Sequence, residues 1–296
     1  MSFTPLPERT GTPAPADLVQ RRSAAGAAFR DRPDAAGVRV ERIELGGVPV
    51  LRCEPDSLSA PGRILVYCHG GGYRLGSTDA FRSYASHLSA TCGVTVCSVD
   101  YRLAPENPFP AALNDVARVY TELLETGTDP GAILLGGDSA GGGLAAALIQ
   151  LARARQWSAP AALILLSPWL DLRNTAESFQ ANAGTDQLFS LDAAREAADM
   201  YLAGHRSADT LASPLLGDWA QQPPTLLQVS DAEVLHDDAI RLAAAIRDAG
   251  GNVQLSVFPG VPHVWHLAFP QTPDSRQALE EMRAFVAALP ASAIRR

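Results

Sequence analysis

The sequence contains no lysine, so all 24 of its basic residues are arginine, against 32 Asp and Glu. The formal net charge of −8 argues against a nucleic-acid partner, because binding to a phosphate backbone relies on a concentrated basic face. No stretch approaches the roughly 18 consecutive apolar residues of a membrane span, and residues 1–8 lack the basic and apolar regions of a secretory signal. We therefore expect a cytoplasmic protein that binds neither nucleic acid nor membrane.

Cysteine is scarce, and no two cysteines have the C-x-x-C spacing of a metal or redox site. Three of the four lie in or beside apolar runs, where a thiol usually behaves as a small buried side chain. The pattern disfavours a disulfide framework and a metal site at Cys53, Cys68, Cys92 and Cys97. No internal repeat or Pro/Ser-rich linker divides the chain either. We expect one domain over residues 1–296.

Short apolar runs alternate with helical segments along most of the chain. The Gly46-Gly47 pair between the first two runs is typical of a hairpin turn, so these strands are expected to be antiparallel. Alternating strands and helices predict a mostly parallel sheet with helices on both faces. The eight predicted strands cover residues 38–45, 48–53, 64–67, 94–99, 132–135, 162–166, 225–229 and 253–257.

Ser139 stands at the centre of a G-x-S-x-G motif between an apolar run and a helical segment. Gly137 and Gly141 lack a Cβ atom, which allows the strained strand-to-helix turn that exposes the serine hydroxyl. The turn also places Ser139 at a helix N-terminus, where free N–H groups favour a developing negative charge. This order predicts a nucleophile elbow.

A nucleophilic serine needs a base and an acid that orients the base. Groups of this kind lie at the carboxyl ends of parallel strands. His263 follows the last predicted strand and is the expected base, whereas nearby His266 is interpreted as a packing residue. For the acid, Asp231 and Glu233 both follow a strand and both can reach an imidazole.

The glycine-rich loop at residues 69–72 follows the third predicted strand directly. Fixed N–H donors stabilise the oxyanion that forms when a serine attacks a carbonyl group. We expect Gly71, Gly72 and Ala140 to provide these donors as an oxyanion hole, and His69 to brace the loop. Farther along the chain, Asp237 or Asp238 is expected to cap a helix.

Together these motifs resemble the hormone-sensitive-lipase-like branch of the α/β hydrolases, which includes many bacterial carboxylesterases. The resemblance rests on HGGG at residues 69–72, YRLAPE at 101–106 and GDSAGG at 137–142, and it runs from about residue 38 to the C-terminal helix. It implies an α/β-hydrolase fold, no cofactor, and a helical cap formed by about residues 1–36 and 174–213. Alignment of the family's acid motif on Asp237 puts Glu233 at the catalytic acid.

The expected function is therefore that of a serine carboxylesterase acting on short- to medium-chain esters through an acyl-enzyme intermediate. The expected catalytic residues are Ser139, Glu233 and His263, and the expected partner is a small-molecule ester. Two alternatives remain: a lactone hydrolase or amidase with the same machinery, and a non-catalytic ligand-binding protein on this scaffold. The chain is expected to be a monomer or a homodimer, because the last strand can form an exposed edge.

Overall fold

A computed structural model describes residues 3–30, 32–57 and 62–290. Its eight strands form one sheet in the order β1-β2-β4-β3-β5-β6-β7-β8. The β1/β2 and β2/β4 pairs are antiparallel, and every other pair is parallel, which confirms the expected mostly parallel sheet. The strands are β1 Val38–Leu45, β2 Val48–Pro55, β3 Ile64–Cys68, β4 Thr95–Val99, β5 Ile133–Asp138, β6 Ala162–Leu166, β7 Thr225–Ser230 and β8 Val253–Phe258.

Eight α-helices lie in the described part of the chain, and none of them is long and apolar enough to cross a membrane. The helix before the first strand, α1, packs against α2. Residues 1, 2 and 31 of the expected cap lie outside the described residues. The helices are α1 Ala16–Arg30, α2 Thr78–Cys92, α3 Ala111–Glu125, α4 Ala140–Ala154, α5 Ser178–Ala181, α6 Leu191–Leu202, α7 His236–Asp248 and α8 Pro273–Ala288.

The core forms two layers because side chains along a strand alternate between the two faces of the sheet. On one face, Leu65 and Tyr67 of β3 pack in a cluster with apolar residues of α2 and α8. On the other face, Val66 and Cys68 of the same strand pack with residues of α3, α4 and α7. The central strands are buried on both faces, which explains their nearly continuous apolar sequences.

The parallel register brings the ends of successive strands to one edge of the sheet. Cys68 at the end of β3 pairs with Gly137 of β5, and Asp138 pairs with Leu166 at the end of β6. Ser230 at the end of β7 pairs with the last residue of β8 in the same way. The loops that leave these strands therefore start side by side.

Candidate active site

Ser139 lies in a strained turn between β5 and α4, with φ of 51° and ψ of −122°. This positive φ is unusual for a residue with a side chain and is characteristic of functional turns. The turn is held because the N–H of Ser139 donates to the Leu166 carbonyl at 2.9 Å. A Cβ atom on Gly141 would lie 2.0 Å from the Cys68 carbonyl oxygen, so only glycine allows this close approach.

The structure brings the expected nucleophile, base and acid together in one hydrogen-bonded line. The distance from His263 Nε2 to Ser139 Oγ is 3.0 Å, and the distance from His263 Nδ1 to Glu233 Oε2 is 2.6 Å. Glu233 is fully buried, whereas Ser139 and His263 are 6% and 7% exposed. This geometry allows the imidazole to accept the serine proton while its other nitrogen donates to the carboxylate.

The alternative acid and base occupy other positions. Asp231 is exposed, and its Oδ1 accepts the N–H of Gly260 at 2.7 Å. His266 is buried in a short 3-10 helix, where its Nε2 lies 3.2 Å from Gln228 Oε1. Burial and, secondarily, the charge of His263 lower the pKa of His266 to about 3, so this ring is neutral at ordinary pH. The packing interpretation of His266 agrees with these contacts.

The pKa of His263 is set by opposing effects. Burial alone lowers it, but the charge and hydrogen bond of Glu233 raise it, and the charges of Asp186 and Asp138 act in the same direction. The net result is a pKa above the ordinary value of 6.5. An imidazolium at this position would therefore be stabilised by the carboxylate beside it.

The glycine-rich loop after β3 lies beside the serine. Gly71 and Gly72 line the same cleft as Ser139 and His263, and both have positive φ, of 120° and 61°. A Cβ atom on Gly71 would lie 2.3 Å from the Leu75 carbonyl oxygen. Ala140, the first residue of α4, directly follows the serine and is fully buried. The glycine-rich loop and the start of α4 thus lie on the same side of the cleft as Ser139, and the role of these three residues as an oxyanion hole stays a prediction.

His69 and Tyr101 support the glycine-rich loop from the side of the core. The ring of His69 stacks on Tyr101 at a centroid distance of 4.4 Å, and its Nδ1 donates to the Gly70 carbonyl at 2.8 Å. The Tyr101 hydroxyl donates to the His69 carbonyl at 2.7 Å. This arrangement agrees with the bracing role expected for His69.

Asp138 is a structural partner of the glycine-rich loop that was not among the residues predicted for the site. Its Oδ1 accepts hydrogen bonds from the Tyr67 hydroxyl at 2.7 Å and the Gly70 N–H at 3.0 Å. Burial raises the pKa of Asp138 to about 6, against the effect of these two bonds. Because Asp138 directly precedes Ser139, its carboxyl group ties the glycine-rich loop to the start of the strained turn. The position of Asp138 in the GDSAGG motif is the sequence feature that could have indicated this structural role.

Segment 174–213 holds the loop that carries the acid. Asn182 Nδ2 donates to the backbone carbonyl of Glu233 at 2.6 Å, and Asp186 Oδ2 accepts the N–H of Val234 at 3.0 Å. The same Asn182 amide donates to the carbonyl of Asp231 at 2.9 Å. The backbone on both sides of the acid is therefore fixed by a segment distant in sequence.

The capping role expected for Asp237 or Asp238 is wrong. Helix α7 begins at His236 without a side-chain cap, and both aspartates lie in its first turn. Asp238 is buried, and its Oδ2 instead accepts the N–H groups of Leu170 and Asp171 at 2.7 and 3.0 Å. These bonds satisfy backbone donors of the loop after β6, which the local sequence around the helix cannot indicate.

The cleft above Ser139 has a volume of about 340 Å³. Its walls are mostly apolar, which suits the hydrocarbon part of a small ligand. Within residues 3–30, 32–57 and 62–290, no cluster of three or more His, Cys, Asp or Glu side chains has the arrangement of a metal site. The cleft is lined by residues that include Arg21, Phe81, Leu188, Phe189, Ala193, Ala197, Val264 and Leu267.

Comparison with known proteins gives consistent matches. A family model described as alpha/beta hydrolase fold matches residues 65–267. An acetyl-hydrolase from Streptomyces hygroscopicus is 43% identical over 225 residues, covering 76% of this chain and 75% of that protein. An esterase from Acinetobacter venetianus is 34% identical, over 87% of this chain and 84% of that protein. The crystal structure of an esterase from the bacterial hormone-sensitive lipase family superposes with a TM-score of 0.89 at 37% identity, covering 93% of this chain and 92% of that one.

Proposed function

Because this chain belongs to the α/β hydrolase-fold family, among its hormone-sensitive-lipase-like esterases, we propose that it hydrolyses small carboxylic esters by acyl transfer to Ser139. The observation that carries the proposal is the continuous contact from Ser139 through His263 to Glu233, with distances of 3.0 and 2.6 Å. A serine hydroxyl at such a distance from a neutral imidazole can be activated at neutral pH. The Gly71, Gly72 and Ala140 N–H groups complete the machinery.

In the first step, Ser139 Oγ forms a bond to the ester carbonyl carbon while His263 Nε2 takes the hydroxyl proton. The carbonyl oxygen becomes an oxyanion, which the N–H groups of Gly71, Gly72 and Ala140 stabilise. Glu233 holds the ring through Nδ1 and stabilises its positive charge. When the tetrahedral intermediate collapses, the bond to the alcohol oxygen breaks and His263 returns its proton to that oxygen.

In the second step, water attacks the acyl group on Ser139 with His263 again acting as general base. A second oxyanion forms in the same place and collapses with cleavage of the bond to Ser139 Oγ. The carboxylic acid leaves, and the proton on His263 restores the serine hydroxyl. No cofactor enters either step.

The size of the cleft supports short- to medium-chain esters as substrates. A volume of about 340 Å³ lies at the lower end of the range of small-molecule sites. We propose that residues 1–36 and 174–213 form a cap on the single domain. This cap would limit the length of the substrate's acyl chain. Arg21 of α1, together with Leu188, Phe189 and the α6 residues Ala193 and Ala197, contributes to the cleft wall.

The nucleophile can be tested by covalent labelling. We expect an organophosphate to inactivate the protein with incorporation of one equivalent, located by mass spectrometry on Ser139. The reason is that an imidazole-activated serine reacts with such reagents, whereas the serine of a simple binding pocket does not. Absence of labelling, or labelling at another serine, would contradict the proposal and favour the ligand-binding alternative.

The pH dependence of kcat/KM follows from the protonation of His263. The imidazole acts as a base only when neutral, so activity is expected to fall as the pH decreases through its pKa. Because that pKa is raised, the midpoint should lie above 6.5. The Glu233→Gln substitution removes the main raising charge, so the midpoint of the residual activity should move to lower pH. A midpoint below 6.5 in the wild type would be inconsistent with this electrostatic arrangement.

A further inference from the structure

The side chain of Ser167 lies between the loop that carries the acid and the loop that carries the base. Its hydroxyl donates a hydrogen bond to Glu233 Oε1 at 2.7 Å. The same oxygen accepts the N–H of Val264, the neighbour of His263, at 3.3 Å. Ser167 is fully buried, so no solvent competes for these bonds. One hydroxyl thus connects two loops that follow different strands.

The contacts of the two carboxylate oxygens of Glu233 are divided. Oε1 accepts from the Ser167 hydroxyl and from the N–H of Ser230 at 2.9 Å, whereas Oε2 lies 2.6 Å from His263 Nδ1. Two donors on Oε1 fix the rotation of the carboxylate, which leaves Oε2 directed at the imidazole. Loss of the Ser167 donor would leave a single backbone N–H to hold that orientation.

The backbone of Ser167 indicates why a side chain at this position matters. Its φ of 46° lies in the left-handed region, which favours glycine over residues with a Cβ atom. Its N–H donates to the Gln228 carbonyl at 2.7 Å, a bond that glycine would also make. The hydrogen bonds of the hydroxyl account for a serine at a position where the backbone conformation favours glycine.

We infer that Ser167 is a positioning residue of the esterase reaction, which rests on the function proposed above. Its hydroxyl holds the Glu233 carboxylate toward His263 and anchors the backbone next to that histidine. The ring is thereby kept at hydrogen-bond distance from Ser139. Ser167 contacts neither substrate nor nucleophile in this scheme and acts through the two residues that it holds.

The test compares Ser167→Ala and Ser167→Gly with Ser98→Ala. The glycine variant removes the hydroxyl in a conformation that glycine adopts readily, which guards against a folding defect. Ser98 is equally buried, on β4, and its hydroxyl has no hydrogen-bond partner among the described residues. Both Ser167 variants should lose on the order of 10- to 100-fold in kcat with little change in KM, because a hydrogen bond to a charged group is lost. The Ser98 variant should stay within about twofold.

Proton NMR provides a readout that a merely structural role would not change. The short bond between His263 Nδ1 and Glu233 should give a low-field proton resonance in the wild type and in Ser98→Ala. In the Ser167 variants this resonance should shift or broaden. Wild-type kcat together with an unchanged resonance in the Ser167 variants would overturn the inference. Failure of the proposed function is distinguishable, since it would appear as absent organophosphate labelling in the wild type itself.

Discussion

Replacement of Ser139 by Ala is expected to reduce the hydrolysis of a short-chain nitrophenyl ester by about 10⁴-fold or more. In the proposed mechanism the oxygen of this hydroxyl forms the bond to the acyl group, so its loss would leave only the oxyanion hole and substrate binding to accelerate the reaction. Substrate binding should change little, because the substitution removes one oxygen and leaves the walls of the cleft in place. The measurement is kcat and KM of the variant with p-nitrophenyl acetate, on a preparation free of contaminating wild-type enzyme.

Two controls make the Ser139 result interpretable. Ser98→Ala removes another buried hydroxyl, one that does not line the cleft, and should retain wild-type turnover. Thermal unfolding of the Ser139 variant should show a cooperative transition near that of the wild type, because alanine keeps the Cβ atom of the strained turn. Near-normal turnover by a folded Ser139→Ala protein would refute the assignment of the nucleophile.

Replacement of Glu233 by Gln is expected to lower kcat by roughly 10³- to 10⁴-fold. The amide has nearly the shape of the carboxylate but no charge, so it can neither stabilise the imidazolium nor hold His263 reliably in the tautomer that leaves Nε2 free. The 2.6 Å distance between His263 Nδ1 and Glu233 Oε2, in a fully buried position, makes the effect large. Steady-state kinetics near neutral pH measures it.

Asp231→Asn is the matched control for this prediction. It makes the same chemical change two residues away, at an exposed side chain whose contact is the Gly260 N–H. Asparagine retains an oxygen that accepts this bond, so we expect kcat within about threefold of the wild type. A larger loss in the Asp231 variant than in the Glu233 variant would reverse the assignment of the acid.

The sheet was largely predictable from the sequence because its strands are buried on both faces. Runs such as residues 162–166 are apolar throughout, and β6 occupies those five residues in the structure. The elbow was predictable because its motif is local in sequence. The full reason for its glycines was not, since a Cβ atom on Gly137 or Gly141 would lie 2.5 or 2.0 Å from the carbonyl oxygen of Cys68, on a different strand.

Helix α2 has a buried face that the pattern of apolar residues in its sequence does not fully indicate. Its buried face includes Ser83, Ser86 and Ser89, which do not stand out as apolar. Each hydroxyl makes a hydrogen bond to a backbone carbonyl, such as that of Ser89 to Cys53 at 3.0 Å, so the polar atoms are accommodated in the core. The partner of Ser83 and one of the two partners of Ser89 lie 50 and 36 residues away, and the sequence does not reveal them.

The sequence was sufficient to predict which residue types form the site, but not which of the candidate side chains contact each other. The sequence left Asp231 and Glu233 as alternatives because both follow β7 closely, and only the resemblance favoured Glu233. The structure separates them by burial and by the contacts of His263. The supporting contacts of Ser167 and Asp238 span 66 and 68 residues, so they depend on which loops the sheet brings together. The catalytic roles themselves remain predictions for the variants described above.

The bonds from Asn182 and Asp186 to the backbone around Glu233 have a consequence for protein engineering. Exchange of segment 174–213 with that of another esterase is an obvious route to a new substrate range. In this chain, however, such a chimera would also lose the hydrogen bonds that hold the backbone around Glu233. Its low turnover would then be mistaken for a poor fit of the substrate. Grafts that retain residues 178–186 and replace only residues 187–202 separate the two effects.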